Sequence, residues 1–129
     1  MDGAQRPDDE AVRAAAVAYC EGLHTADAAC FEAMCHERFL MTAVAVSGKP
    51  VFWDKASFVA RIGGRDAFEG APDYEILEID VAGEMAHVKL QVGVPPRRYE
   101  DYLGFFRVDG TWQLITKLFR TIDGPALEG

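Results

Sequence analysis

The chain has 129 residues, a formal net charge of −8, and half of its residues are hydrophobic. This length supports a single domain over 1–129 with one buried core, and the hydrophobic content excludes a disordered chain. The acidic surplus repels phosphate backbones and anionic lipid, so neither nucleic acid nor a membrane surface is expected as a partner.

No apolar run approaches the roughly 20 residues of a membrane span, and the acidic start MDGAQRPDDE lacks the apolar stretch of a secretory signal. Cys20, Cys30 and Cys35 are odd in number and form no C-x-x-C pair. They read as reduced core thiols of a cytoplasmic protein. Cys35-His36 is too small a set for a metal, so neither metal nor cofactor is expected.

In chain order, residues 1–7 read as a loose tail. Asp8 or Asp9 then caps a helix, DDEAVRAAAVAYCEGLHTA, in which Val12, Ala15, Ala16, Tyr19, Cys20 and Leu23 form one apolar stripe. Gly22 in this helix costs about 1 kcal/mol against Ala. It therefore points to a helix end or a close contact. Asp27 caps a shorter helix through about His36, with Phe31, Met34 and Cys35 on its apolar face; His36 then starts a loop.

FLMTAVAVSGKPVFW reads as two short strands broken at Ser47-Gly48-Lys49-Pro50. DKASFVARIGG is a third helix, capped by Asp54, with Phe58, Val59 and Ile62 inward and Gly63-Gly64 as its stop. RDAFEGAPD is a loop.

From Tyr74 the hydrophobic period becomes two. With Gly83-Glu84 as the turn, Ile79 faces Val88 and Leu77 faces Leu90, while Asp80 meets His87 and Glu78 meets Lys89 on the other face. Pro95-Pro96 interrupts pairing and marks a corner. With Asp109-Gly110 as the last turn, Phe105 faces Leu114, Leu103 faces Thr116 and Asp101 faces Leu118. On the opposite surface Phe106 pairs with Gln113, Gly104 with Ile115 and Tyr102 with Lys117. This hairpin is apolar on both faces, which predicts helices on one side and a second subunit on the other. A single bulge would exchange the faces.

Helices followed by an antiparallel meander define an α+β layer fold. YCEGLHTADAACFEAMCHERF, SFVARI and above all DYLGFFRVDGTWQLITKLF carry a resemblance to the nuclear transport factor 2-like superfamily. Within it, the chain looks most like the putative lumazine-binding family, close to polyketide-cyclase-like (SnoaL-like) proteins. The resemblance spans about Val12 to Phe119. It implies a cone-shaped, curved antiparallel sheet packed on about three N-terminal helices, also described as cystatin-like. It further implies a pocket between the first helix and the sheet, and dimerisation through the outer sheet face. It supplies no catalytic motif.

Asp101 is the best catalytic candidate. Among Leu103, Phe105, Trp112 and Leu114 its carboxyl is partly desolvated, which suits proton transfer; the alternative is a wet or backbone-bonded residue at a strand start. Lys117, opposite Tyr102, binds an anionic ligand or lays its stem on apolar surface and pairs with Glu100 or Asp101 across a subunit interface. Tyr19 donates a hydrogen bond into a cavity or is a satisfied core tyrosine. Phe39, Met41, Trp53 and Phe105 are lining candidates, equally at home in a plain core. His24 reads as a helix C-terminal histidine and His87 as a solvent-face residue.

The expectation is a homodimeric small-molecule-binding protein whose ligand is partly apolar. One rival is a cofactor-independent isomerase, dehydratase or cyclase using Asp101 and Tyr19. The other is a protein-interaction module. Whether the protein is an enzyme stays open at this level.

Overall fold

The computed structural model describes residues 2–128. Three helices, α1 (Asp2–Thr25), α2 (Ala28–Met34) and α3 (Lys55–Gly63), cover one side of a six-stranded sheet. The strands are β1 (Cys35–Val44), β2 (Pro50–Asp54), β3 (Tyr74–Ala82), β4 (Met85–Val94), β5 (Arg97–Val108) and β6 (Thr111–Asp123). They lie in the order β2-β1-β6-β5-β4-β3, in a curved sheet that does not close. All neighbours are antiparallel except β1 and β6, which run parallel. The sheet is therefore mixed, where sequence had suggested an antiparallel one. The reason is connectivity: β1 and β6 are joined through the whole intervening chain, long enough for the crossover a parallel pair needs.

Helix α1 begins at Asp2, ahead of the cap expected at Asp8 or Asp9, so the helix extends through most of the expected tail; Met1 lies outside the described residues. Pro7 sits within this helix, where it gives up one main-chain hydrogen bond. Asp8 is not a cap, because its Oδ1 accepts from Arg107 Nη1 at 2.6 Å and ties α1 to β5. The stripe Val12, Ala16, Tyr19, Cys20 and Leu23 is buried, with Ala15 partly so.

Asp27 caps α2 by accepting from Cys30 N, and Asp54 caps α3 by accepting from Ser57 N at 2.8 Å. Helix α2 stops at Met34, short of the end expected near His36. Cys35 is already extended, with φ −79° and ψ 133°, and pairs with Leu114. Sheet pairing thus takes Cys35 and His36 out of the helix and the loop assigned to them.

The β3–β4 hairpin keeps the expected partners Asp80–His87, Ile79–Val88 and Glu78–Lys89. Beyond Glu78 a bulge leaves Leu77 unpaired and puts Ile76 opposite Leu90. Leu77 is consequently exposed. The β5–β6 hairpin turns at Asp109-Gly110, both with positive φ (51° and 80°), the mirror-image turn geometry that Asp-Gly favours. Its pairing follows expectation through Phe105–Leu114. A bulge at Ile115 then shifts the rest by one residue, so Gly104 meets Thr116, Tyr102 meets Leu118, Leu103 meets Lys117, and Asp101 meets Phe119. Side chains alternate along a strand, so this one-residue shift turns Lys117 from the face opposite Asp101, where the sequence register put it, to the inner face that Asp101 shares.

The concave face carries the core, including Phe31, Phe39, Leu90, Leu103, Phe105 and Leu114. The convex face leaves Leu40, Phe52, Met85, Tyr102 and Leu118 exposed among polar neighbours such as Thr116 and Arg120.

Gly22 is buried where α1 crosses α2. A Cβ there would lie 2.8 Å from a ring carbon of Phe31. That ring cannot swing aside, because it packs edge-on against both Tyr19 and Phe58 at 5.6 and 5.2 Å. The Gly22→Ala variant gains about 1 kcal/mol of helix propensity and loses about 1–3 kcal/mol to overpacking. A lower urea midpoint than wild type is expected; an unchanged or higher one would contradict the packing.

Candidate functional site

Lys117 is 7 % exposed, and its ammonium nitrogen is ringed by aromatic side chains. Nζ stands 5.0 Å from the ring centres of Phe58 and Phe119 and 5.3 Å from that of Tyr19. Its charge partner is Asp101, with Oδ2 3.9 Å away. The same Oδ2 accepts a 2.5 Å hydrogen bond from the Tyr19 hydroxyl, while Oδ1 has no partner among the described residues. α1 thus delivers the tyrosine, α3 the Phe58 ring, β5 the carboxyl and β6 the amine. The other acid proposed as a partner for Lys117, Glu100, instead pairs with Arg120 at 3.0 Å on the outer face.

Burial dominates the electrostatics. Removal from water pushes the Asp101 carboxyl up, against the opposing pull of Lys117 and Tyr19. It pushes the Lys117 amine down, against the pull of Asp101. Tyr19 is raised well above its ordinary value, first by burial and then by the Asp101 charge. Both members of the pair are therefore drawn toward their neutral forms, and a proton shared between them changes no net charge. The cysteines play no such part: burial pushes the Cys20 and Cys35 thiols up to about 12, which leaves them unreactive.

Lys117 also forms part of a pocket of about 170 Å³ at the open end of the cone, between α3, the last turn of α1 and the β4–β5 corner. Leu23, Phe58, Ile62, Met41, Val94 and Phe119 give it apolar walls, and Tyr99 stands at its side. Its charged groups are all cationic: Arg61, Arg65, Arg97 and Lys117. Each arginine is held in place. Arg61 lies over the Trp53 ring at 5.7 Å, Arg65 lies over Phe68 at 4.7 Å and donates to the Leu23 carbonyl, and Arg97 Nε donates to the Pro125 carbonyl at 2.8 Å. Arg65 Nη1 is out of solvent and lacks an acceptor among the described residues.

Of the residues singled out in the sequence, Met41 and Lys117 line this pocket. Tyr19 and Asp101 lie behind Lys117, Phe39 and Phe105 are fully buried core, and Trp53 supports Arg61 from beside the pocket. The space between the body of α1 and the sheet, where a cavity was expected, is filled by Tyr19, Phe31 and Phe105. The arginines were missed because Arg61 and Arg65, at and just past the end of α3, are far in sequence from Arg97 and Lys117, and only the fold brings the two groups together. A larger groove of about 390 Å³ runs beside the C-terminal segment at Ala126 and Leu127, but it is shallow and gathers no set of like charges.

The histidines serve the scaffold. His24 is buried, donates from Nε2 to the Gly70 carbonyl at 2.8 Å and anchors the loop after α3. His36 and His87 lie against Phe106 and Tyr102 on the outer face. Among the described residues no three His, Cys, Asp or Glu side chains are grouped to hold a metal, and no helix is long and apolar enough to cross a membrane.

A family model described as putative lumazine-binding matches residues 7–120. The chain belongs to that family. No curated protein matches it. Solved structures share the fold at low identity. An NTF2-like protein of unknown function from Silicibacter pomeroyi is 18 % identical with a TM-score of 0.83, over 91 % of this chain and 98 % of that one. One from Shewanella baltica is 18 % identical with a TM-score of 0.84, over 92 % and 96 %. A ketosteroid isomerase-like protein from Erwinia carotovora is 17 % identical with a TM-score of 0.71, over 91 % and 98 %. The cone-shaped α+β fold of this putative lumazine-binding family member is therefore nuclear transport factor 2-like.

The raised Asp101 makes a signed prediction. The folded state holds this proton more tightly than the unfolded chain, so its contribution favours folding at low pH and is lost as pH rises from about 4 through the raised folded value. Asp101→Asn keeps an acceptor for Tyr19 but does not ionise. Urea unfolding at several points from about pH 4 to 6 should show wild type losing stability relative to D101N as pH rises. The opposite slope would mean that the carboxyl is better stabilised as an anion.

Proposed function

We propose that this protein binds a small, partly apolar ligand carrying a carboxylate or similar anionic group, held at the open end of the cone. The reading is carried by one observation: four cations converge on one apolar pocket in a chain of net charge −8, and no acid lines that pocket among the described residues. Each rim arginine is already fixed by a ring or a carbonyl, so little side-chain freedom is lost on binding. The pocket is below the roughly 300 Å³ of drug-sized sites, so the occupant is compact.

A thermal-shift and calorimetry panel of small aromatic and aliphatic carboxylates, their amides, and lumazine tests this. Carboxylates should bind and their amides should not, and Arg61→Ala and Arg97→Ala should each weaken binding about tenfold. Lumazine, the ligand in the family description, has no carboxylate. Its binding without any preference for carboxylates would overturn the anionic reading.

The enzymatic alternative shifts with the geometry. Asp101 lies behind Lys117 rather than in the pocket, so direct proton exchange between Asp101 and a ligand finds no support in the lining. Lys117 is the ionisable group of the cluster that meets the ligand.

The convex face favours a second role, self-association. Leu40, Phe52, Met85, Tyr102 and Leu118 form an exposed apolar surface of the kind that interfaces bury. Leu118→Glu should convert a dimer to a monomer in sedimentation without lowering thermal stability of the protomer. A wild-type monomer would remove this reading. Three free thiols suit a reducing cytoplasm.

A further inference from the structure

We propose that Lys117 is an imine-forming amine and that the pocket accepts a 2-oxo acid, with its carboxylate among the rim arginines and its carbonyl carbon presented to Nζ. This rests on the anionic-pocket reading above and names the class of ligand it takes. Three features lead to it. First, Lys117 lines the pocket and is 7 % exposed, so its side chain is within reach of a ligand seated there. Second, the rings of Phe58, Phe119 and Tyr19 stand 5.0–5.3 Å from Nζ and give the amine an apolar setting. Third, Asp101 stands 3.9 Å behind the amine, away from the lining, with Oδ1 unengaged among the described residues. A carboxyl in that position can serve as a proton store for the amine once the two close to hydrogen-bond distance, without competing for the carbonyl carbon.

Burial, which lowers the amine and raises the carboxyl, supplies the free amine and the proton source together.

The step balances. The Nζ lone pair attacks the carbonyl carbon, a C–N bond forms, and the C=O π pair becomes an alkoxide that takes a proton. A second proton converts the resulting hydroxyl to water, the C–O bond breaks, and the nitrogen lone pair completes C=N. Starting from the free amine and the neutral Asp101 carboxyl, the two amine protons leave with the oxygen as water and the carboxyl proton ends on the imine nitrogen, so the products are a protonated imine, a carboxylate and water. No oxidant or metal is consumed. Asp101 is a positioning and proton-holding residue, and Lys117 is the group that bonds to the ligand.

The chain provides internal controls, because its other lysines are Lys49, Lys55 and Lys89. Lys49 is exposed, Lys55 pairs with Glu32, and Lys89 lies over Tyr102 on the outer face. Full-length protein is incubated with pyruvate and cyanoborohydride, then mapped by peptide mass spectrometry. The expected result is a single reduced adduct, heavier by pyruvic acid less one oxygen. It should form at Lys117 roughly tenfold faster than at Lys49 and should be suppressed by excess lactate, which has the carboxylate but no carbonyl. Lys117→Arg, checked for folding by circular dichroism, should form no such adduct while still binding pyruvate in calorimetry.

Equal binding of pyruvate and lactate to wild type with no adduct at Lys117 would overturn the imine and leave the anionic pocket standing. An adduct spread evenly over the four lysines would overturn it as well. Absence of both adduct and binding for either acid would sink the two readings together.

Discussion

A lysine and an aspartate share the dry interior of this cone, and the arrangement of the site follows from that fact. Two buried charges cost several kcal/mol each in lost hydration, and mutual attraction restores that only with good geometry and further hydrogen bonds. Here the pair is 3.9 Å apart rather than in tight contact, one carboxyl oxygen is satisfied by Tyr19 and the other by nothing among the described residues. As a device for stability the cluster is poor, since apolar residues of equal volume would serve as well or better. As a device for holding a proton between two groups next to a cavity it makes physical sense, and the aromatic ring of contacts around Nζ partly offsets the lost water through the rings' negative faces.

The bulge at Ile115 is what brings the pair together. Without it β6 would carry Lys117 to the convex face, and Asp101 would be buried opposite Leu118 with no cation. The bulge is accommodated by Gly104, where even a Cβ would lie 2.3 Å from the Thr116 hydroxyl oxygen. The close approach of Gly104 and Thr116 on the outer face thus sits at the slip that sets the charge arrangement on the inner one.

Much of the architecture was legible in the sequence because it rests on local chemistry. Asp27 and Asp54 cap their helices, Asp109-Gly110 turns its hairpin, the Val12–Leu23 stripe packs inward, and the charge ladder Glu78–Lys89, Asp80–His87 sets its register. What was not legible depends on single-residue events with no signature in alternation. Leu77 and Ile115 fit their strand patterns perfectly well as paired residues; only the glycine at 104, a residue that weakens a strand interior, hinted that one ladder would slip. The α2–β1 junction failed for a similar reason: Cys35 and His36 suit either a helix end or a strand, and the pairing of Cys35 with Leu114 across the molecule decides it. The site was half legible. Asp101, Tyr19 and Lys117 stood out as polar groups in apolar company, but no pattern marks Arg61, Arg65 and Arg97 before the fold sets them around one opening.

That opening gives the molecule two electrostatic ranges with opposite sign. Far from the surface an approaching anion senses the overall negative charge and is repelled; within a few ångströms of the mouth it meets Arg61, Arg65 and Arg97 and is drawn in. Dissolved salt acts on these ranges unequally, because the Debye length at physiological ionic strength is about 8 Å. Added salt hides the distant repulsion while leaving contacts inside the half-enclosed mouth largely intact. Encounter rates for an anionic guest would then climb with ionic strength, the reverse of the usual behaviour for a cation-lined cavity.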